Sequence, residues 1–314
     1  MDINMDTNKG KRQYIMVTPV KNEEDSFSEL AKSVLEQTIK PILWVIVDDG
    51  STDKTVDIVR NLINKYNWIK AIRLEGSQRD LGVHLSHVCR EGFNFAITHC
   101  TQQGIGYEYI ALVDADIILE QKYFEKLIHE FEKNQKLGVA SGRGANIIGN
   151  KIVEDNNQRD DLPSGGARMW RKRCFEDTGG YLLTKSPDSV SNVKAIMRGW
   201  STRRFNHIKF VSTRAHASAE GYWVGYKRFG SNNYFIGYCP VHALLKGIKF
   251  LFEKPYYTGF AYLYGYFGSL ILGKRRIDDD EVKHYFRHIR PREIRRYYVN
   301  RLMNIFRMRT RRLL

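Results

Sequence analysis

Trp44-Val45-Ile46-Val47-Asp48-Asp49-Gly50-Ser51-Thr52-Asp53 reads WVIVDDGSTD. Four apolar residues run straight into two carboxylates, a glycine, two hydroxyls and a third carboxylate. An apolar run bounded by turn residues suits a strand buried on both faces, as in a parallel sheet. Packing gives no reason for three acids at the end of such a strand. Asp-Gly-Ser after a strand is also a common turn and helix cap, so this segment alone fits a structural origin as well as a chemical one.

The flanking sequence alternates between two periods. Tyr14 to Val20 reads as a strand, and a helix follows over Phe27 to Gln37 with Leu30, Val34 and Leu35 on one face. Ile42 to Val47 is the next strand. Ser51 or Thr52 can cap a helix that carries Val56, Val59 and Ile63 on one face. Ile69 to Leu74 is a short strand. Leu85 to Ala96 forms a helix with Leu85, Val88, Gly92 and Ala96 on one side. Tyr109 to Val113 is a strand that again ends in acids, Asp114-Ala115-Asp116. Phe124, Leu127, Ile128 and Phe131 follow helical spacing, and Leu137 to Ser141 is another short strand. This alternation predicts an α/β fold: a mostly parallel central sheet with helices on both faces. Gly142, Gly144, Gly165, Gly166, Gly179 and Gly180 mark loops and close backbone approaches. From Tyr234 onward the composition turns aromatic and small, then basic. The expected organisation is a disordered lead-in over 1–12, an α/β domain over 13–235 and a helical C-terminal extension over 236–314.

Composition bounds the class. The 314 residues are 42% hydrophobic and 27% charged, enough for a sizeable core. The start, MDINMDTNKGKRQ, is polar throughout and does not read as a secretory signal. Cys89, Cys100, Cys174 and Cys239 form no CxxC pair, so free thiols in a reducing compartment are expected. Lys and Arg number 50 against 35 Asp and Glu, a net +15. From Lys274 to Leu314 there are 14 Lys and Arg against 5 Asp and Glu, so 9 of the 15 excess charges sit in the last 41 residues. Such a tail suits an anionic partner.

In open α/β sheets, ligands sit outside the carboxyl ends of the strands. Taken as neighbours, the strands ending in Asp48/Asp49 and Asp114/Asp116 place several carboxylates in one crevice. Their repulsion calls for a cation, and carboxylate oxygens suit Mg²⁺ or Mn²⁺ shared with substrate phosphates. No GxGxxG follows a predicted strand and no GxxxxGK[ST] occurs. A nucleotide diphosphate compound held through metal and carboxylates remains.

At this point the motifs resemble family-2 glycosyltransferases. TPVKNEE, Thr18 to Glu24, is similar to the family's opening motif, VDDGSTDKT, Val47 to Thr55, to its second signature, and LVDAD, Leu112 to Asp116, to its DxD motif. GGY with SPDSVSNVKAIMRGW, Gly179 to Trp200, is similar to its acceptor-side segment. The resemblance spans about residues 13 to 230 and implies the GT-A fold, a Rossmann-like sheet. It also implies inverting transfer from a nucleotide-diphospho-sugar, UDP-sugars being the commoner donors. By position, Pro19, Val20 and Glu23 would border the base, Asp49 would hydrogen-bond it, Asp114 would face the ribose or sugar, and Asp116 would hold the metal. Asp188 stands 11 residues before Gly199, the family's spacing for the catalytic base.

Departures are visible. The acid that usually precedes the base is Pro187, and the next family acid is Val190. The usual Ala-Arg-Asn on the third helix reads Val88-Cys89-Arg90, which leaves Arg79 or Asp80 for the donor. Asp188 can also serve as a helix cap, and Asp160 and Asp161 are the rival bases. His216, after KFVSTRAH, can complete the metal site as in related enzymes, and Arg228 can reach the pyrophosphate with its planar fork.

Tyr256 to Leu272 is an uncharged run of 17 residues rich in tyrosine. A full span needs ~20 apolar residues, so this run with the amphipathic Val241 to Phe252 and the basic end suggests attachment to an anionic leaflet. A buried helix packed on the domain is the alternative. The expected protein is a glycosyltransferase acting on a glycan or lipid-linked acceptor, cytoplasmic and peripheral at the inner face of the cell membrane. A sugar-phosphate nucleotidyltransferase would carry a glycine-rich, lysine-containing phosphate loop near the first strand, which is absent. A nucleic-acid-binding protein fits the arginines and tyrosines, but the strand-end acids would repel phosphate.

Overall fold

The computed structural model describes residues 12–75, 82–148, 151–154, 160–213 and 221–296, with 299 and 303. It contains two compact units, 1–216 and 217–314.

The first unit is built on one mixed sheet. The elements begin β1 (Tyr14–Val20), α1 (Phe27–Leu35), β2 (Leu43–Asp48), α2 (Thr55–Lys65), β3 (Ile69–Arg73), α3 (Val83–Gln102) and β4 (Tyr109–Val113). They continue with β5 (Ile117–Leu119), α4 (Tyr123–Lys133), β6 (Leu137–Ile148), β7 (Lys151–Glu154), β8 (Ala167–Arg171), α5 (Lys172–Asp177), α6 (Pro187–Met197) and β9 (Ser201–Ser212). The strand order is β3-β2-β1-β4-β8-β6-β9-β5, with β7 on β6. β3, β2, β1 and β4 are parallel. β8 runs antiparallel to both β4 and β6, β9 is parallel to β6, and β5 is antiparallel to β9.

Alternation along the parallel strands fills two layers. Tyr14, Met16, Trp44, Ile46, Tyr109 and Ala111 face a core shared with α1, α2 and α4. Ile15, Val17, Val45, Val47, Ile110 and Leu112 face the second core, on α3, α5 and α6. Burial on both sides is why these strands read as unbroken apolar runs.

Three local expectations are corrected. On α2 the buried residues are Thr55, Val59 and Leu62, while Ile63 is exposed, so the apolar stripe lies about one position from the Val56, Val59, Ile63 face. The strand from Leu137 runs on through Gly142 and Gly144 to Ile148. A side chain at Gly144 would meet the Phe210 ring of β9 at 2.9 Å, so these glycines serve strand packing and not a loop. The two acid-ended strands, taken above as neighbours, have β1 between them.

The second unit holds α7 (Tyr222–Phe235), α8 (Pro240–Leu251), α9 (Thr258–Ile271) and α10 (Asp280–His284). Tyr234, Ala243, Tyr262 and Tyr266 form its core. The helix Tyr222–Phe235, grouped above with the α/β domain, joins this core through Tyr234. Among the described residues no helix is long and apolar enough to cross a membrane.

Candidate active site

The β1–α1 and β2–α2 turns are stitched together. Asn22 sits at φ 52°, its amide donates to Ser51 Oγ at 3.1 Å, and its side-chain oxygen accepts from Thr52 N at 2.8 Å. Glu23 N donates to Thr55 Oγ1 and Glu24 N to Asp53 Oδ2, at 2.8 and 3.1 Å. Asp53 Oδ1 also accepts from Thr55 N at 3.0 Å, opening α2. Asp48 Oδ1 accepts from Ser51 N and Oδ2 from Arg73 Nη1, both at 2.8 Å. Asp48 and Asp53 are therefore turn builders, which answers two of the three acids.

Asp49 is the third and has a different environment. Lys21 Nζ donates to its Oδ2 at 2.9 Å, and His84 Nε2 lies 2.9 Å from its Oδ1. It is almost fully buried, next to the exit of β1, where Val20 O accepts from Asp49 N. Val20 and Glu23 are buried, and Glu23 Oε2 accepts from Ser26 Oγ at 2.8 Å. Pro19 lies in β1, paired in register with Val47. These residues thus gather at the ends of β1 and β2.

Across β1, the end of β4 supplies Asp114. Its amide donates to Gly166 O at 2.8 Å. Burial, then the nearby Asp116 and Asp188, push its carboxyl well above the usual carboxylate range, and Arg168 opposes them. Asp188 lies in the first turn of α6, after Pro187. Gly165, before β8, lets Asp188 close in, and Gly166 borders Asp114. A side chain at Gly165 would collide with the Asp188 carboxylate, and one at Gly166 would stand 3.4 Å from Asp114 Oδ2.

Arg168, in β8, was not found from sequence. It is fully buried, with Nη1 3.4 Å from Asp188 Oδ1. Nε and Nη2 donate to the carbonyls of Ser164 and Pro163 at 2.9 and 3.0 Å, and the guanidinium lies 5.2 Å from the Trp170 ring centre. It fixes both the Gly165–Gly166 turn and the Asp188 carboxylate. The only sequence signal is a cation inside the apolar strand ARMW. Lys21 and His84 were missed for a similar reason: neither lies near Asp49 in the sequence, and only the packing of β1, β2 and α3 brings them to it. Arg168→Met should cost about 2–4 kcal/mol of stability, because it strips donors from the carbonyls of Pro163, Ser164 and Asp188 and removes a buried cation from its carboxylate. Urea unfolding of the two proteins measures it, and an unchanged midpoint would refute the role.

Asp116 O accepts from Thr213 N and Oγ1 at 2.9 and 3.2 Å, so the end of β9 reaches the DxD turn. His216 stands three residues further on; it, Arg79 and Asp80 lie outside the described residues. Arg228 is half-buried in α7 of the second unit. Asp160 Oδ1 accepts from Arg204 and Asn206 of β9 at 3.5 and 3.2 Å, so its carboxylate is engaged there. Thr202 Oγ1 donates to Asp161 O at 2.7 Å. Val190 is buried, so the family acid missing at this position would have no route to solvent. All four cysteines are free thiols.

A metal would have to suit this donor set. Among the described residues no group of three His, Cys, Asp or Glu is arranged to hold an ion. Asp114 and Asp116 do supply hard oxygen donors, a cation would offset the repulsion between them, and Mg²⁺ typically takes only one or two carboxylates with substrate phosphates. The residues fit such an ion.

A family model described as glycosyl transferase family 2 matches residues 15–201. The chain is 26% identical over 136 residues to a 4,4'-diaponeurosporenoate glycosyltransferase of Staphylococcus aureus, covering 43% of this chain and 32% of that protein. It is 26% identical over 121 residues to a poly-beta-1,6-N-acetyl-D-glucosamine synthase of Staphylococcus epidermidis, covering 38% and 26%. The matches thus span about a third or less of these relatives. The fold is similar to that of a mannosyltransferase from Pyrobaculum calidifontis, solved with GDP-Man and Mn²⁺. The TM-score is 0.55 at 16% identity, over 84% of this chain and 88% of that one.

Proposed function

The chain belongs to glycosyl transferase family 2, and from that premise we propose an inverting transfer from a nucleotide-diphospho-sugar, a UDP-sugar, to a hydroxyl of a glycan or lipid-linked acceptor. The observation that carries the proposal is the convergence of Asp114 and Asp188 on the Gly165–Gly166 turn, with Arg168 beneath it.

The roles divide by position. The nucleotide base lies along Pro19, Val20 and Glu23, and Asp49 accepts a hydrogen bond from a ring N–H. Lys21 and His84 hold the Asp49 carboxylate in place for that bond. Asp114 faces the ribose or sugar. Asp188 removes the proton from the acceptor hydroxyl as that oxygen attacks the anomeric carbon. The bond from that carbon to the diphosphate breaks on the opposite side, the diphosphate leaves with the electron pair, and configuration inverts. Arg168 holds Asp188 so that one oxygen faces the acceptor. Asp116, with His216, would hold a divalent ion, which would supply positive charge to offset that of the departing diphosphate. Arg79 is a further candidate for a diphosphate contact.

The test is a hydrolysis screen of UDP- and GDP-sugars with Mn²⁺ or Mg²⁺, reading released nucleotide diphosphate. Release from one UDP-sugar above all others is expected. No release from any nucleotide-sugar, with no binding by calorimetry, would refute the proposal.

A further inference from the structure

The second unit presents an apolar face that its own fold does not use. α8 and α9 lie antiparallel: Leu263 packs over Gly247, where a side chain would collide with it, and Leu251 lies 2.6 Å from the Cβ position at Gly259. Both helices turn one side to α7. From α8, Phe250 meets Tyr226 at 5.1 Å between ring centres, and Lys246 Nζ lies 4.1 Å from the Phe229 ring centre. From α9, Tyr262 OH accepts from Asn233 Nδ2 at 2.7 Å, and Ser269 Oγ donates to Ser231 Oγ at 3.0 Å.

At 100° per residue the opposite side of α8 carries Val241, Leu245, Ile248 and Phe252, and all are exposed. The opposite side of α9 carries Phe260, Tyr264 and Ile271, also exposed. Because the helices are antiparallel and share α7 on one side, these two stripes face the same way. An amphipathic helix usually turns its apolar side inward and its polar side outward; here apolar side chains line the outer side as well as the inner one. Two helices about 20 Å long and each about 10 Å across give a face of about 400 Å², the size of the largest apolar patch on a monomer, which is often functional.

Its border is cationic and aromatic. Exposed Lys254 follows Phe252 at one end, with Tyr256 and Tyr257. The Tyr257 ring lies 6.4 Å from that of exposed Trp223. Exposed Lys274 and Arg275 follow Ile271 and Leu272 at the other end. Apolar side chains in the middle, tyrosine and tryptophan at one end and cations at both match the depth profile of a bilayer surface with anionic headgroups. A second copy fits poorly, since a two-fold pairing of this face sets one cationic end against the other. We propose that the α8–α9 face lies on an anionic phospholipid surface, inserted to headgroup depth without crossing. This surface does not depend on the transfer chemistry.

The test is flotation of the full chain with phosphatidylcholine vesicles, with and without phosphatidylglycerol, at low and high salt. The protein should float with phosphatidylglycerol vesicles at low salt and be only partly released by high salt. Phe252, Phe260 and Ile271 are 80%, 62% and 83% exposed, so replacing them should leave the fold intact. Together Phe252→Ser, Phe260→Ser and Ile271→Ser should lower partitioning on the order of a hundredfold. Lys274→Glu with Arg275→Glu should remove the preference for phosphatidylglycerol. Donor hydrolysis should be unchanged in both variants. As a measurement on the unaltered face, brominated lipid should quench Trp223 fluorescence, judged against Trp223→Phe. A full chain that stays in the soluble fraction at low salt overturns the proposal, as does a triple variant that floats like the parent. So does a dimer of the parent that the triple variant converts to monomer with no change in flotation.

Discussion

Asp188→Asn is expected to lower turnover by ~10²–10⁴ and to leave donor affinity nearly unchanged. Asparagine has almost the same size, and the donation of Arg168 Nη1 to the Asp188 backbone carbonyl at 3.4 Å survives the change. What is lost is the capacity to take up the acceptor's proton. The side chain is 43% exposed, so the substitution opens no cavity. The measurement pairs steady-state turnover with donor binding by calorimetry. A loss of donor binding in place of turnover would move Asp188 to the nucleotide side. Turnover close to that of the parent would transfer the base role elsewhere. Asp160→Asn is the comparison: the Asp160 carboxylate is engaged by Arg204 and Asn206 on β9, and its loss should change turnover little.

Asp116→Ala is expected to abolish transfer and to leave the fold intact. The backbone of this turn is fixed from outside the side chain, because Asp116 O accepts from both Thr213 N and Thr213 Oγ1. That backbone anchor survives the substitution, and the loss of the carboxylate should show in metal affinity. Parent protein stripped with EDTA should lose turnover and regain it on adding Mn²⁺ or Mg²⁺. Asp116→Ala should not regain it at any metal concentration that restores the parent, while its thermal midpoint stays within a few degrees, about 1 kcal/mol for a domain of this size. Full activity of a verified metal-free parent would exclude the metal. Activity in Asp116→Ala would exclude this residue as its holder.

The two substitutions separate the ends of one reaction. Asp188 lies on α6 and Asp116 in the β4–β5 turn, and both act on the buried carboxyl of Asp114. A variant that fails only in metal response and one that fails only in proton uptake would assign the departing and attacking sides independently.

Local sequence determined the elements themselves where both faces or one stripe are buried. β1 and β4 lie where their apolar runs predict, and α4 buries Phe124, Leu127, Ile128 and Phe131 as their spacing requires. The positions of the DDGS and DAD turns follow too, because a strand end and the residue types after it are adjacent in the chain. Pairing is different. Whether β2 lies beside β4, or has β1 between them, depends on which way the connecting helices cross. The antiparallel pairings of β8 with β4 and β6, and of β5 with β9, join residues far apart in the chain, from Ser141 with Arg168 to Ile117 with Ser212, so no local period records them.

The site divides along the same line. The sequence alone presented Asp48, Asp49 and Asp53 as equals. Only the folded chain gives Asp48 to Arg73 and Ser51, Asp53 to Thr55 and Glu24, and Asp49 to Lys21 and His84. Arg168 looked like one cation among 50 Lys and Arg. Its role arises because β8 is inserted between β4 and β6, which buries the guanidinium beneath Asp188 and beside the turn at Gly165. On α8 the sequence showed an amphipathic helix, and tertiary packing decided which face was turned out: Gly247 and Ala243, small enough for close approach, took the inside and left the large apolar residues at the surface. Periodicity and motif are properties of neighbours in the chain and can be read there. Burial, charge pairing and helix orientation are set by residues far apart in sequence, and are fixed only when strand order and helix crossings bring those residues together.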